Sequence, residues 1–337
     1  MTFSRAAAAA PVPALSVVIP CFNEQDSLAE LHRRLTAVCR DTVGADYEIV
    51  LVNDGSRDGT WGALQALAGN DPRLVLVDLS RNHGHQLALS AGLTVCRGER
   101  ILIIDADLQD PPELLPAMMA RMDEGVDVVY GQRRSRDGET AFKTLTARAF
   151  YRLLRALSDV DIPLDTGDFR LMSRRVCDVL NDMPESHRFI RGMVSWVGFR
   201  QEPILYERAA RFAGTTKYTL RKMVNFAADA ITGFSIRPVR LAIYASLVFG
   251  VLTLLAALWA VGGWLAGATI PGWASLMVAV LLIGSVQMLL LGIVGEYVAR
   301  SFLELKRRPL FIIREVRRGS TVETETTTAD SPLSEAR

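Results

Sequence analysis

The chain has 337 residues and a formal net charge of +1, a length that suits one large domain or two smaller ones. This charge balance gives no support to a nucleic-acid-binding protein, and no nucleic-acid partner is expected. The four cysteines are scattered without a Cys-x-x-Cys pair, which excludes the usual zinc spacing and a disulfide framework and indicates a reduced compartment.

The first part of the chain alternates between apolar strands and amphipathic helices. Residues 1–14 are expected to be a disordered leader, because their Ala run is too short and too proline-broken for a signal peptide. Strands are predicted at 15–20, 47–52, 74–79, 101–104 and 126–130. The alternation predicts an α/β fold with a doubly wound sheet. Neither a Gly-x-Gly-x-x-Gly nor a P-loop motif follows any strand, which disfavours dinucleotide and P-loop proteins.

The most informative stretch is 100–113. Residues 101–104 are aliphatic and predict a strand buried on both faces, and Asp105, Asp107 and Gln109 then follow at alternate positions. Ligands of open α/β sheets bind beyond the carboxyl ends of the strands. Carboxylate oxygens there suit Mg²⁺ or Mn²⁺ shared with substrate phosphates. The alternative is a solvated acidic turn that caps the next helix.

The α/β domain is predicted to extend to residue 207, and a basic segment follows it. The further elements predicted within the domain are helices at 141–157 and 188–197 and strands at 165–172 and 200–207. Residues 208–240 carry seven Lys or Arg against one Asp, interleaved with apolar residues. This pattern predicts amphipathic helices on a membrane surface.

An uncharged stretch from 241 to 295 predicts two membrane spans, Leu241–Leu265 and Trp273–Gly295, within a transmembrane segment 241–299. Both flanks are basic and the loop between the spans carries no charge, so both termini are expected in the cytosol. Residues 300–318 are then a basic juxtamembrane segment, and residues 319–337 a disordered tail.

Several motifs together resemble the family 2 glycosyltransferases of the GT-A fold. The motifs are Val18-Ile-Pro-Cys-Phe-Asn-Glu24, Asn53-Asp-Gly-Ser56, Asp105-Ala-Asp-Leu-Gln-Asp-Pro-Pro-Glu113 and Gly167-Asp-Phe-Arg-Leu171. Arg211-Phe-Ala-Gly-Thr-Thr-Lys-Tyr218 and the paired spans resemble the polyprenyl-phosphate branch, which contains dolichyl-phosphate mannose synthase and the bactoprenol glucosyltransferases. The resemblance implies a GT-A-type mixed sheet, followed by interface helices and two transmembrane helices.

The resemblance also implies roles for the donor side. The residues that match nucleotide-sugar-binding positions of the family are Pro20, Phe22, Glu24, Asp54, Asp105 and Asp107. Asp107 and Gln109 match the ligands of a Mg²⁺ or Mn²⁺ ion that bridges the diphosphate in this family. As a ligand of that ion, Asp107 is expected to be catalytic. Asp168 matches a catalytic carboxylate that is either a base or orients substrate, with helix capping as the alternative. His83 and His85 are interpreted as turn or packing residues in preference to catalysts.

On the acceptor side, four basic residues match positions that grip phosphate: Arg133, Arg148, Arg211 and Lys217. A solvated basic surface is the alternative for each of them. The implied partners are a polyprenyl phosphate lipid, the membrane, a second copy of the chain, and a downstream flippase and sugar transferase.

The implied reaction is inverting transfer of a hexose from a nucleotide sugar to a polyprenyl monophosphate at the cytosolic membrane face. Asp110 after Gln109 resembles the bactoprenol glucosyltransferase pattern, so a UDP-hexose is favoured and GDP-mannose is second. Two departures stand out: the Gln-x-x-Arg-Trp motif of processive synthases is absent, and Asn53 stands where many relatives have Asp. The alternatives are an anchored transferase with a non-lipid acceptor and a non-catalytic membrane assembly module.

Overall fold

The computed structural model describes residues 12–134, 163, 166–207, 272–319 and 321–323, together with 244, 248–252, 254–255, 258–259 and 265–266. The described residues form two compact units. One contains a mixed sheet with its helices, and the other contains a long apolar helix.

The sheet has nine strands in the order β7-β5-β6-β4-β1-β2-β3-β8-β9. The strands are β1 Leu15–Cys21, β2 Tyr47–Asn53, β3 Leu74–Leu79, β4 Arg100–Ile103, β5 Val128–Arg133, β6 Thr166–Ser173, β7 Gln201–Tyr206, β8 Ile313–Arg318 and β9 Thr321–Glu323. Strands β4, β1, β2 and β3 run parallel, whereas β6 and β8 pair antiparallel with β4 and β3. The predicted α/β fold with a mixed sheet is confirmed.

The helices of this unit follow the strands in the expected alternation. They are α1 Leu28–Val43, α2 Thr60–Ala68, α3 His85–Val95, a 3₁₀ turn Pro112–Leu114 that leads into α4 Leu115–Asp123, α5 Arg174–Asp182 and α6 Ile190–Val197. The strands predicted before residue 105 lie where expected, and the later boundaries shift by one to three residues. Helix α5 was not predicted, and the helix predicted at 141–157 lies outside the described residues.

The core forms where apolar faces of the helices cover the parallel strands. Helix α1 buries Leu28, Leu31 and Leu35 at a spacing of three to four residues, the period of an amphipathic helix. On α3, a Cβ at Gly92 would collide with the Val18 side chain. Glycine therefore allows α3 to approach β1 closely, and this approach fixes the position of the helix that begins at the candidate site.

The C-terminal strands were not predicted. Residues 313–318, which were assigned to a basic juxtamembrane segment, form β8 and extend the sheet beside β3. Residues 321–323 form β9, so the expected disorder of the tail is wrong for them. The basic residues favoured a membrane flank in the sequence-based prediction. In the structure, Phe311 and Ile313 are buried against the sheet unit, and arginines of β8 pair with acidic residues such as Glu48.

The second unit contains α7, Trp273–Leu305. At 1.5 Å per residue this helix is about 50 Å long, more than the ~30 Å of a bilayer's hydrocarbon core. Within the described residues one helix, Leu282–Leu305, is long and apolar enough to cross a membrane. The predicted span Trp273–Gly295 lies within α7, whereas most of the other predicted span lies outside the described residues. Two crossings therefore stay a prediction.

Candidate active site

The carboxyl ends of the parallel strands meet at one edge of the sheet, and the polar motifs of the sequence lie there. The turn after β1 carries Phe22 and Glu24, the turn after β2 carries Asp54, and Asp105 follows β4. Pro20 is buried within β1 itself, whereas 41% of Phe22 is exposed. These turns bring the predicted donor-site residues of separate motifs to a common edge.

Asp54 holds the turn after β2 to the turn after β3. Its Oδ1 accepts a hydrogen bond from the His83 N–H at 2.7 Å, and its Oδ2 accepts from Asn82 Nδ2 at 2.9 Å and the Gly84 N–H at 3.0 Å. Burial raises the pKa of Asp54, against the lowering effect of the two backbone donors. Gly55 adopts φ +61°, and a Cβ there would strike the backbone of the facing turn. The Asp54 carboxylate therefore fixes the shape of the edge.

Glu24 is tied into the same edge. Its N–H donates to Thr60 Oγ1 at 2.9 Å, and its Oε2 accepts from Ser27 Oγ at 3.3 Å. The first contact links the turn after β1 to the start of α2, and the second steadies the side chain at the start of α1.

The acidic turn after β4 combines Asp105, Asp107 and Gln109. Asp107 Oδ1 accepts a hydrogen bond from the Gln109 N–H at 3.1 Å, and Leu108 between them adopts φ +61°. This tight turn ties the Asp107 carboxylate to the backbone of Gln109. Asp105 Oδ1 is buried and has no hydrogen-bond donor among the described residues.

Asp168, on β6, lies among positive charges. Its Oδ2 pairs with His85 Nε2 at 3.2 Å and accepts from Gln86 Nε2 at 2.9 Å. Its Oδ1 lies 3.6 Å from Arg191 Nη2 and 3.9 Å from Arg170 Nη2. Burial alone would raise the pKa of Asp168, but Arg191, His85 and Arg170 outweigh burial and hold that pKa far below its usual range.

His85 bridges the two acidic strand ends. Besides pairing with Asp168, its Nε2 lies 3.5 Å from Asp105 Oδ1. Burial lowers the pKa of His85, but the two carboxylates outweigh it and raise the pKa to about 9. Burial raises the pKa of Asp105 to about 6; His85 opposes this shift, while Asp168, Asp110 and Asp107 add to it. Asp105 therefore lies near the His85 cation and three other carboxylates.

The oxygen side chains of the acidic turn fit a divalent cation. Within the described ranges, no three His, Cys, Asp or Glu side chains are arranged to hold a metal ion by themselves. Mg²⁺ is commonly held by one or two carboxylates together with substrate phosphates. Asp107 and Gln109 offer hard oxygen ligands in the same turn as Asp105, whose buried Oδ1 has no hydrogen-bond donor among the described residues, so the residues present fit such a shared ion.

Arg133 lies at the part of the edge where β5 and β7 end and β6 begins. Tyr206 donates a hydrogen bond to Asp110 Oδ1 and also interacts with Arg133. A Cβ at Gly167 would lie 3.3 Å from Arg133 Nη2. The structure thus places Arg133 beside the acidic turn. Arg148, Arg211 and Lys217 lie outside the described residues.

Sequence reasoning missed three residues of this site. His85 was interpreted as a turn or packing residue, and Gln86 and Arg191 were given no role. Gln86 Oε1 accepts the Ile190 N–H at 2.8 Å, so its amide links Asp168 to the first residue of α6. His85 and Gln86 could have been found from the sequence, because the turn after the parallel strand β3 must lie at the same sheet edge as the acids. Arg191 gave no local signal, because its position depends on the packing of α6.

The mixed sheet with an acidic cluster at its carboxyl edge defines a ligand-binding α/β domain. A match to the family described as Glycosyl transferase family 2 covers residues 16–180, and one described as a GtrB C-terminal hairpin covers residues 237–301. The chain is 46% identical to the uncharacterized glycosyltransferase YkcC of Bacillus subtilis, over 89% of this chain and 93% of the relative.

Two further relatives extend the comparison. The prophage bactoprenol glucosyl transferase homolog of Escherichia coli K12 is 37% identical, over 90% of this chain and 99% of its own. The bactoprenol glucosyl transferase of Shigella phage SfII is 36% identical, over 91% of this chain and 99% of its own. Because these matches span nearly the full length of each chain, the chain belongs to glycosyl transferase family 2.

Proposed function

We propose that this chain transfers a hexose from a nucleotide sugar to a polyprenyl monophosphate, with a UDP-hexose as the favoured donor and GDP-mannose second. The observation that carries the proposal is the cluster of Asp105, His85 and Asp168 at the sheet edge, in a chain that matches bactoprenol glucosyl transferases over most of its length. A non-catalytic assembly module has no need for ionisable groups held at such close distances.

The donor is proposed to bind along the ends of β1, β2 and β4. Phe22 is exposed for contact with the base, and Glu24 supplies a carboxylate for N–H and O–H groups. Asp54 contributes by holding the turns that line the donor site, because its oxygens are already bonded within the chain. Asp107 and Gln109 would hold Mg²⁺ or Mn²⁺ against the diphosphate. When bound, such an ion stabilises the charge that develops on the leaving nucleotide.

The acceptor supplies its own nucleophile, because a phosphate monoester is mostly dianionic at pH 7. A single in-line displacement inverts the anomeric carbon. Asp168 is suited to orienting a group in this step rather than to removing a proton, since its strongly lowered pKa makes it a weak base. Gln86, His85 and Arg191 hold its two oxygens in place.

The proposal gives the chain two membrane spans and places both termini and the catalytic unit on the cytosolic side. The apolar helix α7 and the match to a C-terminal hairpin support membrane attachment. Arg133, Arg148, Arg211 and Lys217 are the proposed ligands of the acceptor phosphate. A second copy of the chain, a flippase and a downstream sugar transferase are further proposed partners.

The deciding experiment screens radiolabelled nucleotide sugars with the full-length chain in detergent and undecaprenyl phosphate as the acceptor. We expect label in the lipid from UDP-glucose or another UDP-hexose, and none without the lipid phosphate. Label in a soluble acceptor would favour the anchored transferase, and no transfer from any donor would contradict the proposal. Deleting residues 237–337 is not a clean test of the acceptor, because it would also remove β8 from the sheet.

A further inference from the structure

A chain of hydrogen bonds crosses the ends of β3 and β2 and begins on the C-terminal strand β8. Arg314 donates from Nη1 to Asp78 Oδ2 at 2.8 Å and from Nη2 to the Ser80 carbonyl at 2.9 Å. Asp78 Oδ1 accepts from Asn53 Nδ2 at 2.7 Å. Asn53 Oδ1 in turn accepts from the Ser56 N–H at 3.2 Å. One arginine of β8 is therefore connected to the turns after both strands.

The same chain continues into the turn after β1. Ser56 Oγ accepts a hydrogen bond from the Asn23 N–H at 3.1 Å, and Asn23 Oδ1 accepts from the Arg57 N–H at 2.8 Å. Asn23 lies between Phe22 and Glu24 in the sequence. The connection from Arg314 thus ends among the residues to which donor binding is assigned.

The charge of Asp78 makes Arg314 important to this arrangement. The Asp78 side chain is only 4% exposed, and Arg314 is its one cationic partner within 4 Å in the part of the chain that the structure describes. A buried carboxylate that loses its cation is costly to keep in place. Asn53 suits its position for the same reason, because an Asp there would face a second carboxylate at hydrogen-bonding distance.

We propose that Arg314 is a positioning residue for donor binding, because it holds Asp78 and Ser80 and thereby the turns at 53–57 and 80–84. The part of this inference that concerns the donor rests on the proposed function. The strand that carries Arg314 follows α7 in the sequence, so the C-terminal segment completes the donor site as well as extending the sheet.

The test compares Arg314→Gln with Arg317→Gln in the full-length chain. Arg317 lies on the same strand but contacts Glu315 and the Trp61 ring instead of the turns, so it is a matched control. For Arg314→Gln we expect faster amide hydrogen exchange at 53–57 and 80–84. We also expect a donor KM raised about tenfold, which corresponds to ~1.4 kcal/mol, with the acceptor KM unchanged. The control should leave all three quantities unchanged.

A second background separates positioning from a general loss of stability. Asp78→Asn keeps an oxygen that can accept from Asn53 but removes the charge that requires a cation. Arg314→Gln should therefore raise the donor KM much less in the Asp78→Asn variant than in the wild type. If Arg314→Gln acted through a general loss of stability, it would raise the donor KM by the same factor in both backgrounds.

The possible results are distinct. Unchanged exchange at both turns in Arg314→Gln, or an equal effect of Arg317→Gln, would overturn the inference. Faster exchange with an unchanged donor KM would overturn the donor part. If the wild type transfers no sugar from any donor, the proposed function fails, and the exchange comparison alone then decides whether Arg314 holds the turns.

Discussion

Two regions of the same sheet edge differ in how their buried polar groups are satisfied. At the ends of β2 and β3, the carboxylates of Asp54 and Asp78 have hydrogen-bond donors on both oxygens. After β4 and on β6, Asp105 Oδ1 and Asp168 Oδ1 are buried without a hydrogen-bond donor among the described residues, and His85 and Arg191 lie nearby. The first region is a preformed platform. The second, the charge-rich region of Asp105, Asp107, His85 and Asp168, keeps carboxylate oxygens that a substrate and its metal ion can engage.

The largest effect is expected from Asp107→Asn in the charge-rich region. The amide keeps the volume of the side chain but loses the charge that holds a divalent ion, so transfer should fall by about 100- to 1,000-fold, the cost of losing transition-state electrostatic stabilisation. The fold should be unchanged by circular dichroism. Asp123→Asn is the control, because that exposed carboxylate pairs only with Arg100 among the described residues. Near-normal turnover of Asp107→Asn at limiting Mg²⁺ or Mn²⁺ would make the metal assignment wrong.

Asp168→Asn should reduce both activity and stability. Without the carboxylate, Arg170 and Arg191 lose the anion that they share, and His85 keeps only Asp105. Removing one partner of a buried ion pair costs about 3–5 kcal/mol. Thermal unfolding and transfer should therefore both change, with transfer reduced roughly 100-fold.

The exposed Asp178, which pairs with Arg174 at 3.6 Å, provides the control variant Asp178→Asn. A stable Asp168→Asn with full activity would show that the charge-rich region is not the reaction centre.

Arg211→Ala and Lys217→Ala test whether the acceptor phosphate is bound by residues outside the two regions of the sheet edge. Loss of one charge-assisted contact costs on the order of 1.5–3 kcal/mol, so each variant should raise the acceptor KM by about ten- to a hundred-fold. The donor KM should stay nearly constant when the two substrates are varied separately. A rise in the donor KM alone would instead assign these cations to the diphosphate.

The smallest expected effect is a change in pH dependence on replacing His85. Its pKa rises from 6.5 to about 9 in the folded chain, so its stabilising contribution is complete below pH 6.5 and is lost as the pH rises through about 9. His85→Gln should flatten this decline in melting temperature between pH 6.5 and 9. Because 42% of the side chain is exposed, solvent should keep the change small. An unchanged pH profile would show that His85 is not protonated between the acids.

The sequence predicted the strands best where local signals suffice. Ile101–Ile104 followed by acids identified β4 and the acidic turn, because an aliphatic run that ends in polar residues is a local pattern. Strand β8 was missed because its basic residues resemble a membrane flank, and only pairing with β3 reveals their partners. Gln86 and Arg191 were missed for a similar reason, since their roles depend on long-range packing against β6.

The most direct test of the account is transfer of labelled sugar from UDP-hexose to undecaprenyl phosphate by the full-length chain, with and without a chelator. We predict labelled lipid of inverted anomeric configuration that appears with Mg²⁺ or Mn²⁺ and disappears on chelation. Lipid labelling that continues undiminished after chelation would contradict the assignment of the charge-rich region as a metal-dependent sugar transfer site. Hydrolysis of the donor to free labelled sugar, with no labelled lipid, would contradict it as well.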